Sequence, residues 1–207
     1  MTILALEFSS PQRSAAVWHG GGTAEAIETG GRGTNALGLV ERVLAEASVE
    51  RDQIEAIAVG LGPGSYTGIR AAISLAQGWQ LARGVKLLGV SSVECLAAQA
   101  QARKIFGRVN VVLDAQGGEF YLASWEISGD GRREIAALKI APGTELEALT
   151  RGEEICIGPA GTGILYPRAA TILALASGRR DFIAAERLEP IYLREANFVK
   201  APPVRKF

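Results

Sequence analysis

A chain of 207 residues with 48% apolar side chains is long enough to fill one large core or two small ones. Its 22 basic and 22 acidic side chains cancel, which excludes a broad positive field that would hold a polyphosphate by counterion release, so any nucleic acid is expected to be held by another chain. No stretch approaches the roughly twenty apolar residues of a membrane span, and the N-terminus lacks a basic region followed by a long apolar run, so a cytoplasmic protein without membrane contact is expected.

The run Thr2-Ile3-Leu4-Ala5-Leu6 reads as a buried strand ending in Glu7. The turn Ser9-Ser10-Pro11-Gln12-Arg13 leads to a second strand, Ser14 to Trp18, and a turn at His19 to Gly22 leads to a third, Ala24 to Thr29. His19, the sole histidine, reads as a surface turn residue. The period then changes to helical. Leu37, Val40, Leu44 and Ala47 mark one face of a helix over about 35 to 48, entered through Gly30 to Asn35, and Leu39 and Val43 make a second side apolar.

Ile54 to Val59 reads as a buried strand, and Gly60-Leu61-Gly62-Pro63-Gly64-Ser65-Tyr66-Thr67-Gly68-Ile69-Arg70 as a tight turn into a helix capped by Ser65 or Thr67. It is not a Walker loop, because five residues separate Gly62 from Gly68 and Ile69-Arg70 stands where Lys-Ser/Thr is needed. Nor is it a dinucleotide fingerprint, since the strand Leu87 to Val90 offers no acid. The helix is expected from Thr67 to Ala82, with Gly68, Ala72 and Ala76 forming a small-residue stripe that lets another helix approach closely. Arg70 is expected to tie the turn to a carboxylate, and Trp79 and Trp125 to anchor a core or an interface. A strand, Lys86 to Val90, and a helix from Ser91 or Ser92 to about Arg103 follow.

The second half repeats the opening. Val109 to Leu113 ends in Asp114, and strands Glu119 to Trp125 and Glu134 to Ile140 follow, joined by Gly129-Asp130-Gly131. A short helix, Thr144 to Arg151, a strand, Glu154 to Ile157, the turn Gly158 to Gly163, and helical character over Tyr166 to Ser177 complete the unit. The loop Arg179-Arg180-Asp181 reads as solvated, Cys95 and Cys156 as buried thiols, and Lys200 to Phe207 as a loose tail. The duplication predicts an α/β fold of two related lobes, residues 1–103 and 104–207, facing each other across a cleft with Glu7 and Asp114 at equivalent edges.

Several strings, taken in order, resemble the TsaB (YeaZ) family: Ile3 to Leu6 followed by an acid, Gly62 to Arg70, Ala76-Gln77-Gly78, Gly89 to Ser92, Asp114-Ala115 with Gly118 to Tyr121, and Pro190 to Arg194. The resemblance implies the ASKHA fold of actin, Hsp70 and sugar kinases, two RNase H-like lobes with the second reduced. It further implies a non-catalytic scaffold that pairs with a TsaD-like catalytic paralogue and a TsaE-like ATPase for threonylcarbamoyl transfer to adenosine 37 of tRNA. In isolation a homodimer is expected, and tRNA contact only through the complex. TsaD-like chains carry a His-x-x-x-His metal pair where this chain has Ser92 and Leu96, so no metal centre, cofactor or catalytic residue is expected here.

The partner surface is placed at Leu37, Val40, Leu44, Gly68, Ala72, Ala76 and Trp79, and a vestigial cleft at Glu7, Ser10, Asp114, Gly158 and Gly161. A second reading, from another class, is an ATP-dependent small-molecule kinase with Asp114 as base and the Gly158 to Gly163 turn holding nucleotide. No Ser-His or Cys-His arrangement favours a peptidase.

Overall fold

The computed structural model describes residues 1–30 and 35–194. Most of the glycine-rich entry at 30–35 and the tail from Lys200 to Phe207 lie outside the described residues. The first sheet comprises β1 (Ile3–Glu7), β2 (Gln12–His19), β3 (Gly22–Thr29), β4 (Ala56–Gly60) and β5 (Lys86–Val90), in the order β3-β2-β1-β4-β5. The first three strands form an antiparallel meander, and β4 and β5 add in parallel. The second sheet comprises β6 (Gly107–Asp114), β7 (Glu119–Ile127), β8 (Arg132–Pro142), β9 (Ile155–Gly158) and β10 (Gly163–Ile164), and repeats the same order and directions. This duplicated arrangement is the ASKHA fold.

The lobes differ in their helices. On the first sheet lie α1 (Ala36–Glu46) and α2 (Tyr66–Arg83). In the second lobe α4 (Gly143–Arg151) takes the place of α1, but residues 159–162 connect β9 to β10 where the first lobe has α2. The remaining helices are exchanged. Helix α3 (Ser92–Ala102) follows the first sheet yet buries Val93, Leu96, Ala97 and Ala100 against Val109, Val111 and Ala123 of the second. Helix α5 (Ala169–Ala176) follows the second sheet yet buries Ala169, Ile172, Leu173 and Ala176 against Ile3, Ala5, Ala16 and Leu88 of the first. It begins after Pro167 rather than at Tyr166, because a residue preceding proline is held extended. The first sheet also satisfies its opening amides: Ala169 N–H donates to Ser14 Oγ at 2.8 Å and Ala170 N–H to Glu25 Oε1 at 3.0 Å.

Two expectations about the partner surface are corrected here. The stripe Gly68, Ala72 and Ala76 faces inward, with Ala72 and Ala76 fully buried in the first lobe's own core. Small residues spaced four apart let α2 approach its own sheet rather than a partner helix. Val40 and Leu44 are buried in the same core with Leu39 and Val43, so α1 turns a wide apolar face onto the sheet and leaves Leu37 as its one exposed large apolar side chain. The Arg179-Arg180-Asp181 loop is tied down, because Arg179 Nη1 donates to Gly89 O at 2.8 Å. The same guanidinium holds the Asp181 carboxyl down at about 2.

Beneath the glycine-rich turn, three segments converge on Glu7, which is fully buried. Its carboxylate accepts from Ser9 N–H at 2.7 Å and from Ser92 Oγ at 2.8 Å, while Ser92 Oγ accepts from Gly62 N–H at 3.2 Å. The end of β1, the start of α3 and the turn before α2 are thereby fastened at one point. Ser65 caps α2, its Oγ accepting from Gly68 N–H at 3.3 Å. Close approach explains the glycines above it: a Cβ at Gly64 would lie 2.2 Å from Ser9 O, and one at Gly68 would lie 2.0 Å from Phe8 O.

Two outcomes follow from this packing. Gly68→Ala forces a methyl group against the Phe8 carbonyl and is expected to cost about 2 kcal/mol or more, read as a lowered urea midpoint; a loss below about 0.5 kcal/mol would contradict it. Burial pushes the Glu7 carboxyl above its ordinary value of 4.5, partly offset by the Ser9 and Ser92 groups that face it. The folded chain therefore holds this proton more tightly than the unfolded chain. The resulting stability is fully present below pH 4.5 and is lost as pH rises through the folded value. Compared with Glu7→Gln, the unaltered chain should gain stability as pH is lowered from neutrality towards 4.5, by at most about 1.4 kcal/mol per pH unit. A pH-independent difference between the two would refute this.

Candidate functional site

Both meanders end their first strand at the same edge, and the two edges face each other across a cavity of about 630 Å³. Ser9, Ser10 and Pro11 after β1, Gly64 to Thr67 at the start of α2, and Leu113 to Gln116 at the end of β6 form its walls, with Tyr121, Pro159 and Tyr166. Of the five expected cleft residues, Ser10 and Asp114 lie in this wall. Ser10 Oγ donates to Gln12 O at 2.8 Å, which holds the turn. Asp114 has both carboxylate oxygens engaged, Oδ1 by Gln116 N–H at 2.7 Å and Oδ2 by Gln116 Nε2 at 3.0 Å.

The other three are corrected. Glu7 lies beneath the turn, its carboxylate turned from the cavity towards Ser9 and Ser92. Gly158 packs on the Val112 backbone and Gly161 on the Cys156 backbone, so their turn presents only Pro159 to the cavity.

Among the described residues no lysine or arginine lines the wall, the Arg194 guanidinium beside Gln116 being engaged with Glu119, and the wall's one carboxylate repels phosphate. It offers tyrosine rings, hydroxyls and an amide. The positions of the TsaD-type metal pair do not suit a cation either. Ser92 is engaged with Glu7 and Gly62, and Leu96 is buried against the second sheet. Among the described residues no three His, Cys, Asp or Glu side chains come together to ligate a metal.

The outer surface of the first lobe has a different character. A groove of about 430 Å³ runs between α1 and α2, with Leu37, Leu75, Trp79 and Ala82 as its apolar lining and Arg51 and Arg83 beside them. Leu37 is 42% exposed and Leu81, on the neighbouring turn of α2, is 91% exposed. Of the expected partner surface, Leu37 and Trp79 lie here. Leu75, Leu81 and Ala82 were missed, although Leu75, Trp79 and Ala82 recur at helical spacing beside the small-residue stripe. At the N-terminal end of α2, Arg70 is bound to Tyr192 rather than to the expected carboxylate, its Nε donating to Tyr192 Oη at 3.2 Å. No helix of the described residues is long and apolar enough to cross a membrane.

Residues 33–157 match the family model of TsaD, tRNA N6-adenosine threonylcarbamoyltransferase. The chain is 28% identical to the tRNA threonylcarbamoyladenosine biosynthesis protein TsaB of Escherichia coli, over 94% of this chain and 95% of that one. It is 26% identical to the TsaB of Haemophilus influenzae, over 98% of each. The solved structure of YeaZ from Pseudomonas aeruginosa superposes with a TM-score of 0.78 at 27% identity, covering 93% of this chain and 99% of that one. Matching the family model over more than half its length, and two TsaB proteins over nearly all of it, the chain belongs to the TsaD family, in its TsaB (YeaZ) branch.

Proposed function

We propose that this chain is a non-catalytic scaffold subunit in tRNA threonylcarbamoyladenosine biosynthesis. It pairs with a TsaD-type catalytic paralogue through the α1–α2 face, works in a complex that includes a TsaE-type ATPase, and pairs with a second copy of itself when the paralogue is absent. The observation that carries this reading is the apolar groove formed by Leu37, Leu75, Trp79 and Ala82, with the 91% exposed Leu81 on the same helix as the last three. Desolvating that side chain and Trp79 against a partner supplies the central contact of an interface. The cleft supports the non-catalytic part, because among the described residues no lysine or arginine lines its wall and the Ser92 and Leu96 positions supply no metal ligand.

Leu81→Arg and Leu37→Arg change exposed positions, so each is expected to leave the melting temperature almost unchanged. Co-elution with a TsaD-type partner should weaken at least tenfold for Leu81→Arg. Undiminished binding by both variants would overturn the placement of the partner. Titration of the isolated chain with ATP and magnesium in a calorimeter is expected to give no saturable heat, whereas a binding isotherm would favour the kinase reading.

A further inference from the structure

The end of α2 opposite the groove carries a second exposed cluster. The rings of Tyr66 and Tyr192 stack with centroids 5.7 Å apart and planes inclined by 25°. They are 56% and 44% exposed. The Arg70 guanidinium carbon lies 4.3 Å from the Tyr66 centroid and 6.0 Å from that of Tyr192. The arrangement is held from below, because Ile191 N–H donates to Leu61 O at 2.9 Å and carries Tyr192 across the glycine-rich turn. One guanidinium N–H is spent on the Tyr192 hydroxyl, and among the described residues Arg70 pairs with no carboxylate. Its remaining donors are left at an exposed position.

Two stacked rings, each about half exposed, next to a delocalised cation that pairs with no carboxylate among the described residues, suit a planar base joined to a phosphate. The adjoining cleft wall adds hydroxyls and an amide from Ser65, Thr67, Gln116 and Tyr121, groups able to meet the polar edge of a base. A protein partner is better served by the apolar groove, whose Trp79 lies about 20 Å from Tyr66 along α2 at 1.5 Å per residue.

We propose that Tyr66, Tyr192 and Arg70 form a contact for single-stranded RNA, one base stacking on the tyrosine pair and a neighbouring phosphate pairing with Arg70. This rests on the reading that the assembly works on tRNA, and it replaces the expectation that tRNA is met only through the complex.

The test uses the isolated chain and a fluorescein-labelled single-stranded oligoribonucleotide, followed by anisotropy, with photo-cross-linking to map the contact. Tyr66→Leu keeps an apolar side chain but removes the ring, and is expected to weaken binding about tenfold, while Tyr66→Phe retains it. Arg70→Ala should weaken binding and reduce the salt dependence by about one phosphate contact, a change in log-log slope of roughly 0.7. Cross-links should fall on Tyr66 or Tyr192. Absence of RNA binding, equal binding by all variants, or cross-links confined elsewhere would overturn the proposal. The same variants are tested for co-elution with the TsaD-type partner. Loss of the partner with RNA binding unchanged would make the cluster a protein contact and overturn the proposal. RNA binding that depends on Tyr66, in a chain that binds no such partner, would uphold the contact while refuting the scaffold reading.

Discussion

The buried hydrogen bonds around Glu7 set the geometry on which the other features depend. A carboxylate with no exposure to water is costly unless its oxygens are satisfied, and here Ser9 N–H and Ser92 Oγ satisfy them. Because Ser92 also accepts from Gly62, the same bonds fix where the turn leaves β4 and where α2 begins. That start point places Ser65, Tyr66 and Thr67 in the cleft wall, and from it α2 runs out to the groove at Trp79. One buried acid thus positions two surfaces that lie far apart along one helix. In the second lobe the equivalent strand end, Asp114, is exposed and closes a local turn with Gln116 instead.

Much of this was legible in the sequence. Apolar runs that end in an acid, at Glu7 and Asp114, followed by two hairpins, gave the repeated meander, and the coordinates return the same strand order in both sheets. The Ser65 cap and the strand Lys86–Val90 also stand where the residues place them. The direction in which a helix face points was not legible. Small residues four apart allow close approach to a sheet or to another helix alike, and only the neighbouring strands decide for Ala72 and Ala76. Likewise the burial of Glu7 depends on Ser92, 85 residues distant, and the partner of Arg70 is Tyr192, 122 residues distant.

The cleft and the outer surface differ in chemical character. The cleft is lined by hydroxyls, tyrosine rings and the Asp114 carboxylate, with no lysine or arginine in its wall among the described residues. The outer surface leaves the apolar side chains Leu37 and Leu81 in contact with water. The fold by itself says little about function, which has to be argued from the particular side chains at each surface.

The exchange of α3 and α5 between lobes bears on how the molecule is made. The inner face of the first sheet, with Ile3, Ala5, Ala16, Ala58 and Leu88, is covered by residues 169–176. During synthesis that face is apolar and without its own helix until the growing polypeptide has passed residue 176. The core of the amino-terminal half is thus completed by a segment more than 160 residues downstream of β1, which ties the maturation of one lobe to the synthesis of the other.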